Sequence, residues 1–171
     1  MEQWFKQTIL GLKLCPFAQR PFEEGRLRLI DSPVQNHFEA QQCFIDELDL
    51  LQEEGPQKLT TTLIGFPDWE VDFPDFLDFC QSMEELLEEI EGDEIFQLVT
   101  FHPKFQLQGF APESLANYPN SSPYPVLHIL RRADVTAVQR PGLGVEISEA
   151  NEARLRSLSA EDLGRHYPWK T

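Results

Sequence analysis

Residues 120–131 read Asn-Ser-Ser-Pro-Tyr-Pro-Val-Leu-His-Ile-Leu-Arg (NSSPYPVLHILR), and the fold turns on what they form. Ser122 can accept from free backbone N–H groups at a helix start, and Pro123 is tolerated in a first turn. On that reading a helix runs from Tyr124 to Val138 and places His128, Arg131 and Arg132 on one face, at spacings of three and four. The competing reading is a strand over Val126–Leu130, filled by apolar and β-branched residues. The helix is the expectation, with the strand as its alternative.

Upstream, Ile95–Phe101 (IFQLVTF) is nearly all apolar, as a strand covered on both faces would be, and it runs straight into His102-Pro103. Leu27–Ile30 and Lys58–Phe66, the second with Thr60, Thr61 and Thr62, read as two further strands. Between them lie amphipathic helices. Asn36–Glu54 is striped by Phe38, Cys43, Phe44, Ile45, Leu48 and Leu51 and stopped by Gly55-Pro56. Asp75–Ile90 is striped by Phe76, Phe79, Cys80, Met83, Leu86 and Leu87 and closed by Gly92. A first helix over Glu2–Leu14 stops before Pro16, a last one spans Ser148–Leu158, and Arg165–Thr171 is a tail. Strands alternating with helices predict one α/β domain over residues 1–171: a small, largely parallel or mixed sheet flanked by helices and wound by right-handed crossovers. Ligands bind such sheets beyond the carboxyl ends of the strands, where His102 would close a central strand. Lys104–Asn120 is then a long irregular loop of the kind found in lids and binding loops.

The chain has 171 residues, enough to bury roughly 70% of its unfolded surface without staples. It carries 29 acidic residues against 14 basic ones, a net charge of −15. That argues against nucleic acid and anionic membranes as main partners, since both demand clustered Lys and Arg. The acidic runs Asp46–Glu54 and Glu84–Glu94 read as solvated helix faces. Three widely spaced cysteines, Cys15, Cys43 and Cys80, make neither a disulfide framework nor a zinc motif, and point to a reducing cytoplasm. Cys43 and Cys80 sit among large apolar residues, as buried structural cysteines do. No signal peptide or membrane span is expected.

Three blocks carry a resemblance: Leu12–Ala18 (LKLCPFA), Thr100–Pro103 (TFHP) and Asn120–Arg131. Their order and spacing resemble the bacterial family DUF1415 over nearly the whole chain. Ser121 and Arg132 depart from the family pattern, which has an arginine and a glutamate there. The resemblance implies no reaction.

Cys15, His102, His128 and Arg131 are the chemical candidates. One reading makes Cys15 a nucleophile with His102 or His128 as base, oriented by Asn117 or Asn120. A second makes Cys15 and the two histidines three ligands of a divalent metal with an open position. A third is an anion pocket built on Arg131, His128 and the helix N-terminus, with Asn120, Ser122 and Tyr124 as further substrate contacts. In the bland reading both histidines are structural. The leading expectation is a cytoplasmic enzyme for a small anionic molecule, performing acyl or group transfer, hydrolysis or metal-assisted chemistry. The alternative is a non-catalytic module that binds a small ligand or a protein partner through Phe105, Leu107 and Phe110. The first requires the four side chains to converge on one hollow. The second requires those three apolar residues to be exposed together.

Overall fold

The computed structural model describes residues 1–136 and 141–170. Four strands form a mixed sheet: β1 (Leu27–Asp31), β2 (Thr61–Gly65), β3 (Phe96–Phe101) and β4 (Val126–Arg131), in the order β1-β2-β4-β3. β1 and β2 are parallel, while β4 runs antiparallel to both β2 and β3. β1, β2 and β3 therefore point the same way, and β4 is threaded in reverse between the last two.

Two expectations are corrected here. NSSPYPVLHILR is a strand from Val126, with a short helix α5 (Arg132–Thr136) only after it; the expected helix end at Val138 lies outside the described residues. Every residue of β4 is buried, and β4 bonds to a strand on each edge. The burial and the ladder bonds of such a position outweigh a local capping signal. Consequently β3 is an edge strand and not the central one, and its interior is half-buried.

The flanking helices follow from amphipathic runs with capped ends. α3 (His37–Glu54) starts at Asn36, whose side chain accepts from the Glu39 N–H. α4 (Phe73–Glu89) starts at Asp72, which accepts from the Asp75 N–H and is followed by Pro74 in the first turn. Both pack on one face of the sheet. Phe44, Leu48 and Leu51 of α3 and Phe76, Phe79, Met83 and Leu87 of α4 meet Ile64, Phe96, Leu127 and Ile129. On the other face the first helix, α1 (Glu2–Trp4) continuing as a π-helical stretch (Phe5–Leu10), brings Trp4, Phe5 and Ile9 onto Leu63, Phe101 and Val126. Leu155 of α6 (Leu143–Arg156) and Tyr167, after α7 (Ala160–His166), complete that second core. α2 (Gln19–Glu23) connects Cys15 to β1. The acidic runs are mainly exposed, but Glu47 is buried and takes a two-oxygen contact from Arg28 of β1, at 2.9–3.2 Å.

At the common carboxyl end of β1 and β2 the packing requires a glycine. A Cβ on Gly65 would come within 2.5–2.7 Å of Met1, Asp31 and Tyr124. Tyr124 closes this corner, its hydroxyl donating to Asp31 at 2.6 Å.

The outer edge of β3 is closed at both ends by the chain itself. The Arg132 N–H bonds to the Ile95 carbonyl. By the antiparallel alternation, residues 96, 98, 100 and 102 then turn their backbone groups away from β4. Asn120 meets two of these: its side-chain amide donates to the Thr100 carbonyl at 3.0 Å, and its carbonyl accepts from the His102 N–H at 3.1 Å. Arg132 Nε donates to the Phe96 carbonyl at 3.2 Å. An open edge is a template for another chain, and closing it removes that liability. Asn120→Ala is expected to leave the Thr100 carbonyl unpaired. Urea unfolding should show a loss of about 1–3 kcal/mol, and unchanged stability would show that the clamp carries no weight.

Candidate functional site

Each candidate can be placed by the sheet's alternation. Residues 127, 129 and 131 of β4 face α3 and α4, while 126, 128 and 130 face the first helix. His128 and Arg131 are therefore on opposite faces. His102 follows β3 on the α4 side, against the rings of Phe73 and Phe76 at 5.4 and 5.7 Å. Arg131 pairs with Phe96 at the other end of β3, so it stands about 20 Å from His102 along the strand, at roughly 3.3 Å per residue. Cys15 packs in the second core, on the His128 face. The four side chains are not gathered around one hollow. Among the described residues no three of His, Cys, Asp and Glu are grouped as metal ligands would be, so Cys15, His102 and His128 do not make the expected ligand set.

Most polar atoms of these residues are used within the fold, Arg131 Nε being buried without a partner. The Lys104 N–H donates to His102 Nδ1 at 3.1 Å, which leaves Nε2–H to donate to the Val71 carbonyl at 3.1 Å. His102 is buried, and burial pushes its pKa below the ordinary histidine value, helped by the charges of Lys104 and Lys170. Thr61 donates its hydroxyl proton to the Ile129 carbonyl at 2.6 Å, so its oxygen accepts from His128 Nε2–H, also at 2.6 Å. Burial drives the His128 pKa down to about 3. Both imidazoles are neutral and share one tautomer.

The Arg131 guanidinium donates to the Leu51 carbonyl in the last turn of α3 and lies 5.0 Å from the centre of the Phe96 ring. A helix C-terminus offers unpaired carbonyls and partial negative charge, so a cation there is favourable. Enclosure raises the Cys15 pKa, against two weaker contacts from the Phe17 and Ala18 N–H groups. A thiol held protonated is a poor nucleophile. Of the expected substrate contacts, Asn120 clamps β3, Ser122 donates to the Tyr124 carbonyl at 2.6 Å, and Tyr124 holds Asp31. Asn117 orients no histidine: its side chain accepts from the Leu107 N–H and donates to the Ala111 and Pro112 carbonyls, fixing the long loop from inside.

Among the hollows that the described residues present to solvent, one of about 490 Å³ lies just beyond β3, lined among others by Lys104, Phe105, Glu113, Tyr118, Trp169 and Lys170. The segment after His102 supplies one wall and the C-terminal tail the other. Trp169 is fixed by its indole N–H, which donates to Ser121 at 2.8 Å, and Tyr118 stacks edge-on with Tyr167 at 4.8 Å. Lys170 Nζ lies 5.0 Å from the centre of the Tyr118 ring, and burial lowers its pKa. Lys104 and Phe105 adjoin the His-Pro block. Lys170 lies in a tail that carries no motif.

A model of the family described as a protein of unknown function (DUF1415) matches residues 1–165, and the chain belongs to that family. No curated protein and no solved structure matches it.

The buried neutral imidazole has a measurable consequence. His128 takes up a proton near pH 6.5 in the unfolded chain but only near pH 3 in the folded one. Acid therefore favours the unfolded state, and stability is lost as pH falls below about 6.5, at up to about 1.4 kcal/mol per unit from this group. His128→Gln keeps an N–H for Thr61 and cannot titrate. Urea midpoints at pH 7 and pH 5 should fall less for the variant than for the parent; equal falls would show His128 charged inside the fold.

Proposed function

We propose that this protein binds a small anionic molecule with a flat apolar portion, in the hollow beyond the end of β3. The observation that carries the reading is the pair Lys104 and Lys170. In a chain with twice as many acids as bases, basic side chains readily find carboxylates, and Lys6, Lys58, Arg20, Arg28, Arg156 and Arg165 all do. Among the described residues Lys104 and Lys170 have no such partner, although both line one hollow with only Glu113 as an acid on its wall. Phe105, Tyr118 and Trp169 give that hollow aromatic surface, which suits a planar body while the ammonium groups hold its charge.

On this reading Lys104 and Lys170 take the anchoring role expected of Arg131, and His102 contributes by fixing the backbone on which Lys104 stands. The protein works in a reducing cytoplasm, where three unpaired cysteines persist, and its acidic surface keeps nucleic acid away. Docking of a protein partner on the long loop is favoured by one observation, the exposure of Leu107 and Phe110. Phe105, however, turns inward against Phe73, at 5.3 Å, so the three apolar residues do not form one patch.

Phenyl phosphate is a suitable probe, titrated under heteronuclear NMR. Saturable shifts are expected at residues 103–106, 112–113, 118 and 169–170. Lys104→Gln and Lys170→Gln should each weaken binding about tenfold, the worth of one charge-assisted hydrogen bond. Shifts scattered over the surface, or affinities unchanged in both variants, would refute the reading.

A further inference from the structure

Lys170 differs from the other four lysines of the chain in its surroundings. Lys6 and Lys58 are exposed and paired with Glu2 and Glu54. Lys13 and Lys104 are exposed. Lys170 alone is half-enclosed, standing over the Tyr118 ring in a hollow that also holds a second cation and a carboxylate. An amine in such a place can act as a nucleophile with a second cation in the same hollow.

Resting on the anion-binding reading, we propose that Lys170 forms an imine with its ligand, and that the ligand is therefore an anion bearing an aldehyde or ketone. Desolvation lowers the Lys170 pKa and no carboxylate raises it, so neutral amine is more available here than on the exposed lysines. The amine first loses a proton to water. The nitrogen lone pair then bonds to the carbonyl carbon, and the C=O π pair moves onto oxygen. A proton passes from nitrogen to that oxygen, giving a carbinolamine. Protonation of the hydroxyl lets it leave as water while the nitrogen pair closes the C=N bond. The net change is amine plus carbonyl to imine plus water, with no oxidant or reductant. The Tyr118 face beneath Nζ favours the resulting iminium charge, and Lys104 holds the anionic group.

The test uses the full chain and pyridoxal 5′-phosphate, an aromatic aldehyde with a phosphate, at less than one equivalent. Borohydride then fixes any imine, and peptide mass spectrometry locates it. Labelling at Lys170 should exceed that at Lys6, Lys13, Lys58 or Lys104 by about tenfold, equivalent to roughly 1.4 kcal/mol of site preference. It should fall when phenyl phosphate competes, and in Lys104→Gln. Label spread evenly over the five lysines, or concentrated on another, overturns the proposal. If phenyl phosphate binds in the hollow while Lys170 stays unlabelled, the imine is wrong and the anion site stands; if neither occurs, both fail.

Discussion

β4 is held on both edges and on both faces at once. Its backbone bonds to β2 on one side and β3 on the other, and six consecutive residues are buried. A strand so placed has no freedom of register, because a shift by one residue would exchange its two faces. His128 would move into the core beneath α3 and α4, and Leu127 and Ile129 would leave it. The reverse threading of β4 between two strands of opposite direction thus fixes where every polar side chain in this part of the chain ends up.

The histidines and Arg131 are then components of the fold with specific tasks. His128 joins β4 to the Thr61 hydroxyl across the ladder. Arg131 ties the opposite face to the end of α3. His102 pins the Val71 carbonyl, ahead of α4, to the turn after β3. Asn120 closes the β3 edge, and Ser121 receives the Trp169 indole. The contacts of His102, Asn120 and Ser121 adjoin the two walls of the hollow. The Phe-His-Pro and Asn-Ser-Ser-Pro-Tyr-Pro blocks thereby brace the hollow from behind, while most of the groups that line it lie next to them.

Much of the architecture was legible. The apolar stripes of α3 and α4, their Asn36 and Asp72 starts, and the runs that became β1, β2 and β3 follow from local pattern and capping chemistry. The strand β4 was harder, because Ser122-Pro123 mimics a helix start while the pairing that decides the matter comes from residues some 30 and 65 positions away in the ladder. The edge position of β3 was hidden for the same reason. The candidate residues were chosen for their chemistry. What sequence cannot weigh is that a side chain able to act is equally able to be consumed by Val71, Thr61 or Leu51 carbonyls and hydroxyls. Lys170 was missed since a lysine near the end of a motif-free tail carries no signal until Tyr118 is placed beneath it.

The central claim is that both imidazoles belong to the scaffold, so their protonation and tautomers should be fixed by the fold. Long-range proton–nitrogen NMR correlations of the histidine rings read both directly. At pH 7 the account predicts His102 and His128 neutral and protonated at Nε2, unaltered by an anion in the hollow. A charged ring, an Nδ1–H tautomer, or titration of either residue near pH 6.5 would contradict it.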